Sequence, residues 1–290
     1  MNFQRTDFRF SHRMRVRWAE VDMQKIVFNA HYLMYFDNAM GDYWRALALP
    51  YRPSMQLLDG DMFVKKSTLE YHASARYDDV LDVCMRCARV GNSSVVFQGA
   101  VFRGNTLLVT GELVYVFADP VEQRSKPVPG TLRNIFESYE GGHAITRLEL
   151  GRWSAIEPKV SALRRAVFVA EQGIQEGLVW DDADTTALHA VVCNGLGEPV
   201  AVGRLVQHAP GVGRIGRMAV SQVLRGAKLG QEVLVALLAA AHARGDREVM
   251  LHAQRTAEGF YTRLGFSVTG EPFEEAGIAH IAMVRRLHSE

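Results

Sequence analysis

One strongly amphipathic helix followed by four strand-like runs dominates the first half of this chain. Residues 31–47 place large aromatic and aliphatic side chains at spacings of three and four, so these side chains share one helix face. Four runs rich in β-branched and aromatic residues follow, at 62–72, 80–90, 94–102 and 107–117. This pattern predicts an α+β domain in which a curved antiparallel sheet wraps around the helix.

The second half alternates strands with helices and therefore predicts a different, mixed α/β domain. A stretch with three prolines, ending at Glu140-Gly141-Gly142, separates these two sequence patterns. We expect two unrelated domains, at 1–140 and 145–290. The expected strands of the second domain lie at 187–194, 199–207, 214–220, 248–253 and 278–285, and its helices at 160–171, 230–244 and 257–264.

Charge and hydropathy argue against several classes of function. The 290 residues carry 33 Lys and Arg against 32 Asp and Glu, without a basic excess in either half, so we expect no nucleic-acid partner. No apolar stretch approaches the roughly 20 residues of a membrane-spanning helix. The Arg-rich N-terminus has no apolar signal core. We expect a cytoplasmic protein that does not bind membranes and that holds any anionic ligand at a local site.

The three cysteines, Cys84, Cys87 and Cys193, are too few for a disulfide framework and suit a reducing compartment. Cys84 and Cys87 form a C-x-x-C, but a separation of three within a strand puts them on opposite faces. Without a second cysteine pair no zinc site is complete, and we expect no metal. A structural role is favoured, with redox or metal use as the alternative.

A carboxylate, Asp22, lies just upstream of the aromatic helix. Unpaired backbone N–H groups and the positive end of the helix dipole would polarise a carbonyl group docked at the helix start. Asp22 is suited to attack that carbonyl or to activate a water molecule. The same pattern also fits a role for Asp22 as a helix cap.

Over about residues 8–120 the chain resembles the 4-hydroxybenzoyl-CoA thioesterase branch of the hot-dog fold. The resemblance rests on the segment Asp22-x-x-x-Ile26-Val27-Phe28-Asn29-x-x-Tyr32, on Val64-Lys65-Lys66 and Glu70-Tyr71, and on residues 75–81. The resemblance implies an acyl-CoA thioesterase that forms a dimer or larger homo-oligomer, with the active site at the subunit interface. It implies Asp22 as the catalytic carboxylate and the Asn29 backbone N–H as the oxyanion donor. Lys25 replaces a Gly that the family usually has in this turn, so either the loop shifts or the Lys25 ammonium pairs with Asp22.

A second strand–turn–helix unit lies in the second half. The strand at 214–220 leads through a Gly-bearing turn at 225–230 into a helix. Such a helix start binds pyrophosphate through its backbone N–H groups, and Arg225 and Lys228 add positive charge. The same pattern also occurs in strand–turn–helix units without a ligand.

Residues 257–266 contain Phe260-Tyr261-x-x-x-Gly265-Phe266 and resemble a helix of the GNAT acyltransferases. One branch of that family is also matched by residues 164–172, 225–230 and 251–254. The resemblance extends over about residues 147–288. The resemblance implies acetyl-CoA as substrate, no tightly bound cofactor, and acetyl transfer to a small-molecule or protein amine. It implies Tyr261 as the general acid that protonates the departing thiolate. Lys228 replaces a Gly common in the family's phosphate loop. The residues implied to bind acetyl-CoA are Met218, Val220, Arg225, Gly226, Ala227, Lys228, Leu229 and Gly230.

The sequence does not single out a general base for the acetyl transfer. A bound water molecule is one possibility, and three side chains are candidates by residue type: Glu171, His252 and Glu274. An acidic cluster is suited to attracting a cationic amine, or is a solvated loop. Its members are Asp181, Asp182 and Asp184.

Together these features predict a bifunctional enzyme that acts on coenzyme A thioesters, with water as acceptor in the first domain and an amine in the second. Three alternatives remain open. In the first, only one domain is catalytic and the other serves assembly or binding. In the second, the whole chain is a non-enzymatic acyl-CoA sensor. In the third, the second domain makes an acyl amide signal, against which the helix with Phe260 and Tyr261 argues.

Overall fold

In the computed structural model, which describes residues 2–287, the chain divides into two units, Met1–Ile145 and Thr146–Glu290. The first unit consists of a five-stranded antiparallel sheet and three α-helices. Its elements in chain order are β1 (Phe10–Arg15), α1 (His31–Ala46), α2 (Tyr51–Leu57), β2 (Asp61–Tyr71), β3 (Val80–Val90), β4 (Ser94–Arg103), β5 (Thr106–Ala118) and α3 (Gly130–Glu140).

Helix α1 packs against the sheet, whose strand order is β1-β3-β4-β5-β2. Two glycines on neighbouring strands, Gly99 and Gly111, are directly paired. The ring of Phe36 from α1 lies over both, and a Cβ added at Gly99 would come within 2.4 Å of it. The absence of side chains at this pair lets the aromatic helix approach the sheet closely. The predicted α+β domain with a helix against an antiparallel sheet is confirmed.

Two elements of the first unit were not predicted from the sequence. Strand β1 carries a polar sequence, Phe10-Ser-His-Arg-Met-Arg15, and pairs only on one side, with β3. Helix α2 is seven residues long and contains Pro53. At the other edge of the sheet, β2 is exposed from Phe63 to Thr68, unlike the central strands.

The second unit is a seven-stranded sheet in the order β11-β12-β10-β9-β8-β7-β6, with helices packed against it. All neighbouring strands are antiparallel except β9 and β10, which are parallel. Its elements are β6 (Thr146–Arg152), α4 (Trp153–Arg164), β7 (Leu188–Asn194), β8 (Pro199–Ala209), β9 (Val212–Val220), α5 (Leu229–Ala243), β10 (Glu248–Gln254), α6 (Glu258–Arg263), β11 (Ser267–Glu275) and β12 (Ile278–Arg286). The mixed α/β architecture predicted from the sequence is confirmed.

Helix α4 begins at Trp153, seven residues before the predicted start at Val160. The predicted start is too late because Pro158 lies inside the helix. A proline is usually read as a helix break, since it has no N–H and its ring clashes with the preceding turn. Beyond Arg164 the chain continues as a π-helix, Arg165–Glu171. Val160 and Leu163 pack into the core of this unit together with Val191 and Val202 of the sheet.

Candidate active sites

Asp22 lies in a tight turn within a short antiparallel segment. The Asp22 N–H donates to the Ile26 carbonyl at 2.9 Å, and the Lys25 N–H donates to the Asp22 carbonyl at 2.9 Å. One carboxylate oxygen, Oδ1, accepts the Gln24 N–H at 2.8 Å. The other, Oδ2, has no hydrogen-bond partner among the described residues. One oxygen therefore fixes the side chain, and the second is available for chemistry.

Lys25 keeps the turn in the shape that a glycine would give it. Its φ is 61°, in the left-handed region that favours Gly. The cost for an L-residue in this region is about 1–2 kcal/mol. Among the described residues Lys25 forms no ion pair with Asp22, so that expected pairing is wrong.

Glu20 supports this segment, although sequence reasoning did not single it out. Its carboxylate is 3% exposed and accepts the Tyr35 hydroxyl at 2.8 Å and the Arg17 N–H at 2.8 Å. Burial acts to raise the pKa of Glu20, but the hydrogen bonds from Arg17 and Tyr35 outweigh it and hold that pKa below its usual value. The Glu20 carbonyl accepts the Phe28 N–H at 2.9 Å. A tyrosine on the buried face of α1 was the available signal, because a buried hydroxyl needs a polar partner.

Asn29 lies at the entrance to α1 and is exposed. Its N–H donates to no acceptor within residues 2–287, and its carbonyl accepts the Tyr71 hydroxyl at 3.2 Å. The N-cap of α1 is Ala30, and no side chain caps the helix. The capping interpretation of Asp22 is therefore wrong. An unpaired N–H at a helix start is the arrangement that stabilises an oxyanion.

The second unit contains an opening between β9 and β10. The two parallel strands pair at Glu248↔Val212, Val249↔Gly213 and Met250↔Arg214, and the pairing stops there. The remaining residues of each strand leave backbone groups unpaired toward the other. A wedge of this kind accepts an extended ligand by hydrogen bonds to its edges.

Met218 and Val220 lie on the β9 side of this opening. Strand β9 carries a bulge, because Arg217 and Met218 together oppose the single residue Gly203 of β8. Arg217 has a left-handed φ of 51°. Gly203 makes room for Met218, since a Cβ there would lie 2.5 Å from the Met218 sulfur.

The turn before α5 presents a row of unpaired N–H groups. Helix α5 has no side-chain cap. Among the described residues these N–H groups have no acceptor: Gly226, Lys228, Leu229, Gly230 and Gln231. Together with the helix dipole they form an anion-binding surface of the kind that holds pyrophosphate.

Two left-handed residues shape this turn, Gly226 with φ 90° and Lys228 with φ 64°. Lys228 therefore keeps the conformation of the Gly that it replaces, as Lys25 does in the first unit. The positive charge of Arg225 is already engaged in an ion pair. Its guanidinium binds both carboxylate oxygens of Glu171 at 2.7 Å.

Tyr261 lies on α6 and is 7% exposed, between the rings of Phe260 and Phe266. Burial raises the pKa of Tyr261 to about 12. Its hydroxyl has no hydrogen-bond partner among the described residues, so it remains protonated and available to donate. That is the state a general acid needs before a thiolate departs.

The acidic loop is neither a free amine-attracting cluster nor simply solvated. Asp184 is 2% exposed, and both its oxygens lie 2.9 Å from Arg164 Nη1. Arg204 binds Asp181 at 2.6 Å and Asp184 at 2.7 Å, and Arg217 Nη2 lies 3.0 Å from Asp181. The hydrogen bond from Arg204 lowers the pKa of Asp181 to about 2. The solvated-loop interpretation is wrong for Asp184, which is buried, whereas Asp181 and Asp182 are exposed. Because Arg204 and Arg217 already bind Asp181, it is not free to attract an amine.

The cysteines are free thiols. Cys84 and Cys193 are buried, Cys87 is half-buried, and burial raises the pKa of Cys84 to about 11 and of Cys87 to about 12. Such thiols are poor nucleophiles at neutral pH. Within residues 2–287, no group of three His, Cys, Asp or Glu side chains is arranged to hold a metal ion, and no helix is long and apolar enough to span a membrane.

Family models match both units. The model of the thioesterase superfamily covers residues 24–110, and that of the acetyltransferase (GNAT) domain covers residues 168–287. The chain belongs to both families, as a fusion of a hot-dog thioesterase-superfamily domain with a GNAT domain.

Each of the following relatives matches less than half of this chain. Protein ElaA of Escherichia coli K12 is 37% identical over 131 residues, which are 43% of this chain and 84% of ElaA. The uncharacterized protein YyaT of Bacillus subtilis 168 is 30% identical over 130 residues, 43% of this chain and 85% of YyaT. The acyl-CoA thioester hydrolase YbgC of E. coli O6:H1 is 29% identical over 123 residues, 41% of this chain and 89% of YbgC. The crystal structure of E. coli ElaA covers 49% of this chain and 99% of its own, with 31% identity and a TM-score of 0.44.

Proposed function

We propose that the chain is a bifunctional enzyme that cleaves the same carbonyl–sulfur bond in two ways. The first unit hydrolyses acyl-CoA, and the second transfers the acetyl group of acetyl-CoA to an amine. The observation that carries the proposal is common to both units. Each has unpaired backbone N–H groups at the start of a helix, and each contains a candidate catalytic side chain with a free atom. The unpaired groups are those of Asn29 in the first unit and of Gly226, Lys228, Leu229, Gly230 and Gln231 in the second.

In the first unit, the Asn29 N–H would stabilise negative charge on the thioester oxygen as the tetrahedral intermediate forms. Asp22 Oδ2 would attack the carbonyl carbon or take a proton from the attacking water. The name of YbgC, an acyl-CoA thioester hydrolase, supports this assignment.

In the second unit, the unpaired N–H groups of Gly226 and of residues 228–231 would hold the pyrophosphate of acetyl-CoA. The pantetheine arm would enter the opening beside Met218 and Val220. Tyr261 would donate its proton to the sulfur as the carbon–sulfur bond breaks. No tightly bound cofactor takes part in either half, because both reactions are acyl transfers.

The proposal includes assembly and location. The exposed edge strand β2, with Val64 at 53% exposure, suits a homo-oligomer formed through the first unit. Free cysteines suit the cytoplasm.

The test is release of free thiol from a panel of acyl-CoA esters by the whole chain. We expect thiol release without an amine from a subset of acyl chains. We expect additional thiol release from acetyl-CoA in the presence of spermidine, glucosamine or a lysine-containing peptide. If esters bind and no thiol appears in any arm, the chain is an acyl-CoA sensor. If only one arm gives thiol, one unit serves binding or assembly.

A further inference from the structure

His252 lies beside the opening between β9 and β10, two residues beyond the last paired position of β10. Its Nδ1 is 2.9 Å from Oε2 of Glu275 on β11. The ring of Phe273 packs edge-on against the imidazole, with ring centroids 4.7 Å apart. The His252 side chain is 26% exposed, so the ring is held from two sides and still meets solvent.

The two other candidate bases are less suited to remove a proton. Both oxygens of Glu171 are bound by Arg225. A carboxylate in a bidentate ion pair is a weakened base, because the cation stabilises its charged form. Glu274 is exposed, and no hydrogen bond or ion pair holds it among the described residues.

The contacts of His252 decide which nitrogen carries its proton. Arg214 Nη2 on β9 lies 3.0 Å from the same Nδ1 that faces Glu275. A guanidinium only donates and a carboxylate only accepts, so Nδ1 satisfies one of them at a time. Both contacts are charge-assisted, but the Glu275 carboxylate has no other side-chain donor among the described residues, whereas Arg214 has further N–H groups to donate. We therefore place the proton of the neutral ring on Nδ1, which leaves a lone pair on Nε2.

Two charged groups contact His252 from the neighbouring strands, Arg214 from β9 and Glu275 from β11. His280 of β12 stacks on Phe273 and interacts electrostatically with Glu275. Glu275 stabilises the imidazolium form of His252, and Arg214 opposes it. The carboxylate is the closer partner. A ring oriented in this way by a carboxylate is the arrangement of a general base.

We propose that His252, positioned by Glu275, is the general base of the acetyl transfer; this rests on the function proposed for the second unit. The lone pair of the acceptor nitrogen forms the bond to the acetyl carbon, and the proton of that nitrogen passes to His252 Nε2. The carbon–sulfur bond breaks with its electron pair on sulfur, which takes the proton of Tyr261. The proton on His252 then returns through solvent to Tyr261, so the products are the acetamide and free coenzyme A.

The first test reads the tautomer directly, by nitrogen-15 NMR of the histidine side chains in the whole chain. We expect His252 to carry its neutral-state proton on Nδ1, and Glu275→Gln to weaken that preference, because the uncharged amide oxygen is a poorer acceptor than the carboxylate. His208→Gln is the matched control, because His208 is an exposed imidazole on β8 of the same sheet with no contact to His252 or Glu275 among the described residues. A neutral His252 protonated on Nε2 in the unaltered chain would overturn the proposal, because its lone pair would then lie on Nδ1, the nitrogen that contacts Arg214 and Glu275.

The second test is kinetic and uses whichever of spermidine, glucosamine or the lysine-containing peptide is acetylated. His252→Gln should lower kcat/KM at least about 100-fold and remove the rise of rate with pH. Glu275→Gln should lower the plateau rate and move that rise to lower pH, since the imidazolium loses its carboxylate. His208→Gln should leave rate and pH profile unchanged.

Calorimetric affinity for acetyl-CoA separates the two possible failures, and we expect it to be unchanged in all three variants. A His252→Gln chain that binds acetyl-CoA and keeps its turnover and pH profile would overturn His252 as the base. If the unaltered chain binds acetyl-CoA and acetylates none of the three amines, the function proposed for the second unit fails, and the tautomer measurement still decides the state of His252.

Discussion

At the scale of single residues, a lysine replaces a glycine both in the turn before α1 and in the turn before α5. Lys25 and Lys228 stand where the resembled families have Gly, and both adopt a left-handed φ, of 61° and 64°. Both replacements of Gly by Lys could be recognised in the sequence. The sequence did not show whether the backbone would change, because φ at such a position is set by the hydrogen bonds of the surrounding turn.

Lys25 offers a direct test of that backbone requirement. We expect Lys25→Gly to leave hydrolysis within about twofold of the unaltered chain, because Gly adopts the left-handed conformation without strain. Lys25→Val should destabilise the first unit by at least about 1 kcal/mol and slow hydrolysis, since a β-branched residue is an outlier there. Thermal unfolding and thiol release measure the two effects, with Lys25→Asn as the control that tolerates this conformation. Equal behaviour of the Val and Gly variants would show that the turn is not held left-handed.

At the scale of elements, the sequence located the central strands well because their apolar periodicity is strong. Strand β3 lies as predicted, and β4 and β5 differ from the prediction by one residue at their ends. Three strands were not predicted: β1, β6 and β11. They are short or polar and lie at the edges of their sheets, where a strand has a neighbour on one side only and its apolar pattern is weaker. Asp22, Asn29 and Tyr261 could be named from motifs. No motif contains Glu20 or the Glu275 contact, because each depends on a partner from another element, and the buried tyrosine of α1 is only an indirect signal for Glu20.

The turn that begins α5 gives a prediction about binding alone. A Cβ at Gly230 would already lie 3.2 Å from Val220 Cγ2. We expect Gly230→Leu to weaken acetyl-CoA binding at least about tenfold, because the added side chain keeps a phosphate from the backbone N–H groups. Gly177→Ala is the control, since a Cβ there meets nothing within 4 Å. Calorimetry on both variants decides, and an unchanged affinity in the Leu variant would move the pyrophosphate site elsewhere.

The ion-pair network of Arg164, Asp181, Asp184 and Arg204 predicts a pH dependence for the second unit. Because the folded-state pKa of Asp181 lies near 2, below its ordinary value, its contribution to stability is complete above about pH 4. That contribution is lost as the pH falls toward 2. Asp181→Asn should therefore lower stability at neutral pH and make the loss between pH 4 and pH 2 shallower. Hydrogen exchange of peptides from β7 and β8 measures this, and an equal acid response in both chains would contradict it.

At the scale of the whole molecule, the edge strand β2 carries the prediction about assembly. The mass of the chain is 32.4 kDa, and we expect light scattering to give at least twice that value. Val64→Asp should shift the particle toward the monomer and lower hydrolysis, because a buried charge at an interface is costly. Val121→Asp is the control, since Val121 is 88% exposed and lies outside the strands. A monomeric unaltered chain that hydrolyses acyl-CoA would remove the basis for a site at a subunit interface.

The central claim is that one chain holds two independent sites for coenzyme A thioesters, and a crossed assay of two variants tests it most directly. Thiol release is measured with and without amine for Asp22→Asn and Tyr261→Phe. We expect Asp22→Asn to lower amine-independent hydrolysis at least about 100-fold and to spare amine-dependent release. Tyr261→Phe should do the reverse, with the loss in kcat and little change in KM, because its hydroxyl acts only as charge builds on sulfur. If either variant lowered both activities equally, or neither, the account of two separate active sites would be contradicted.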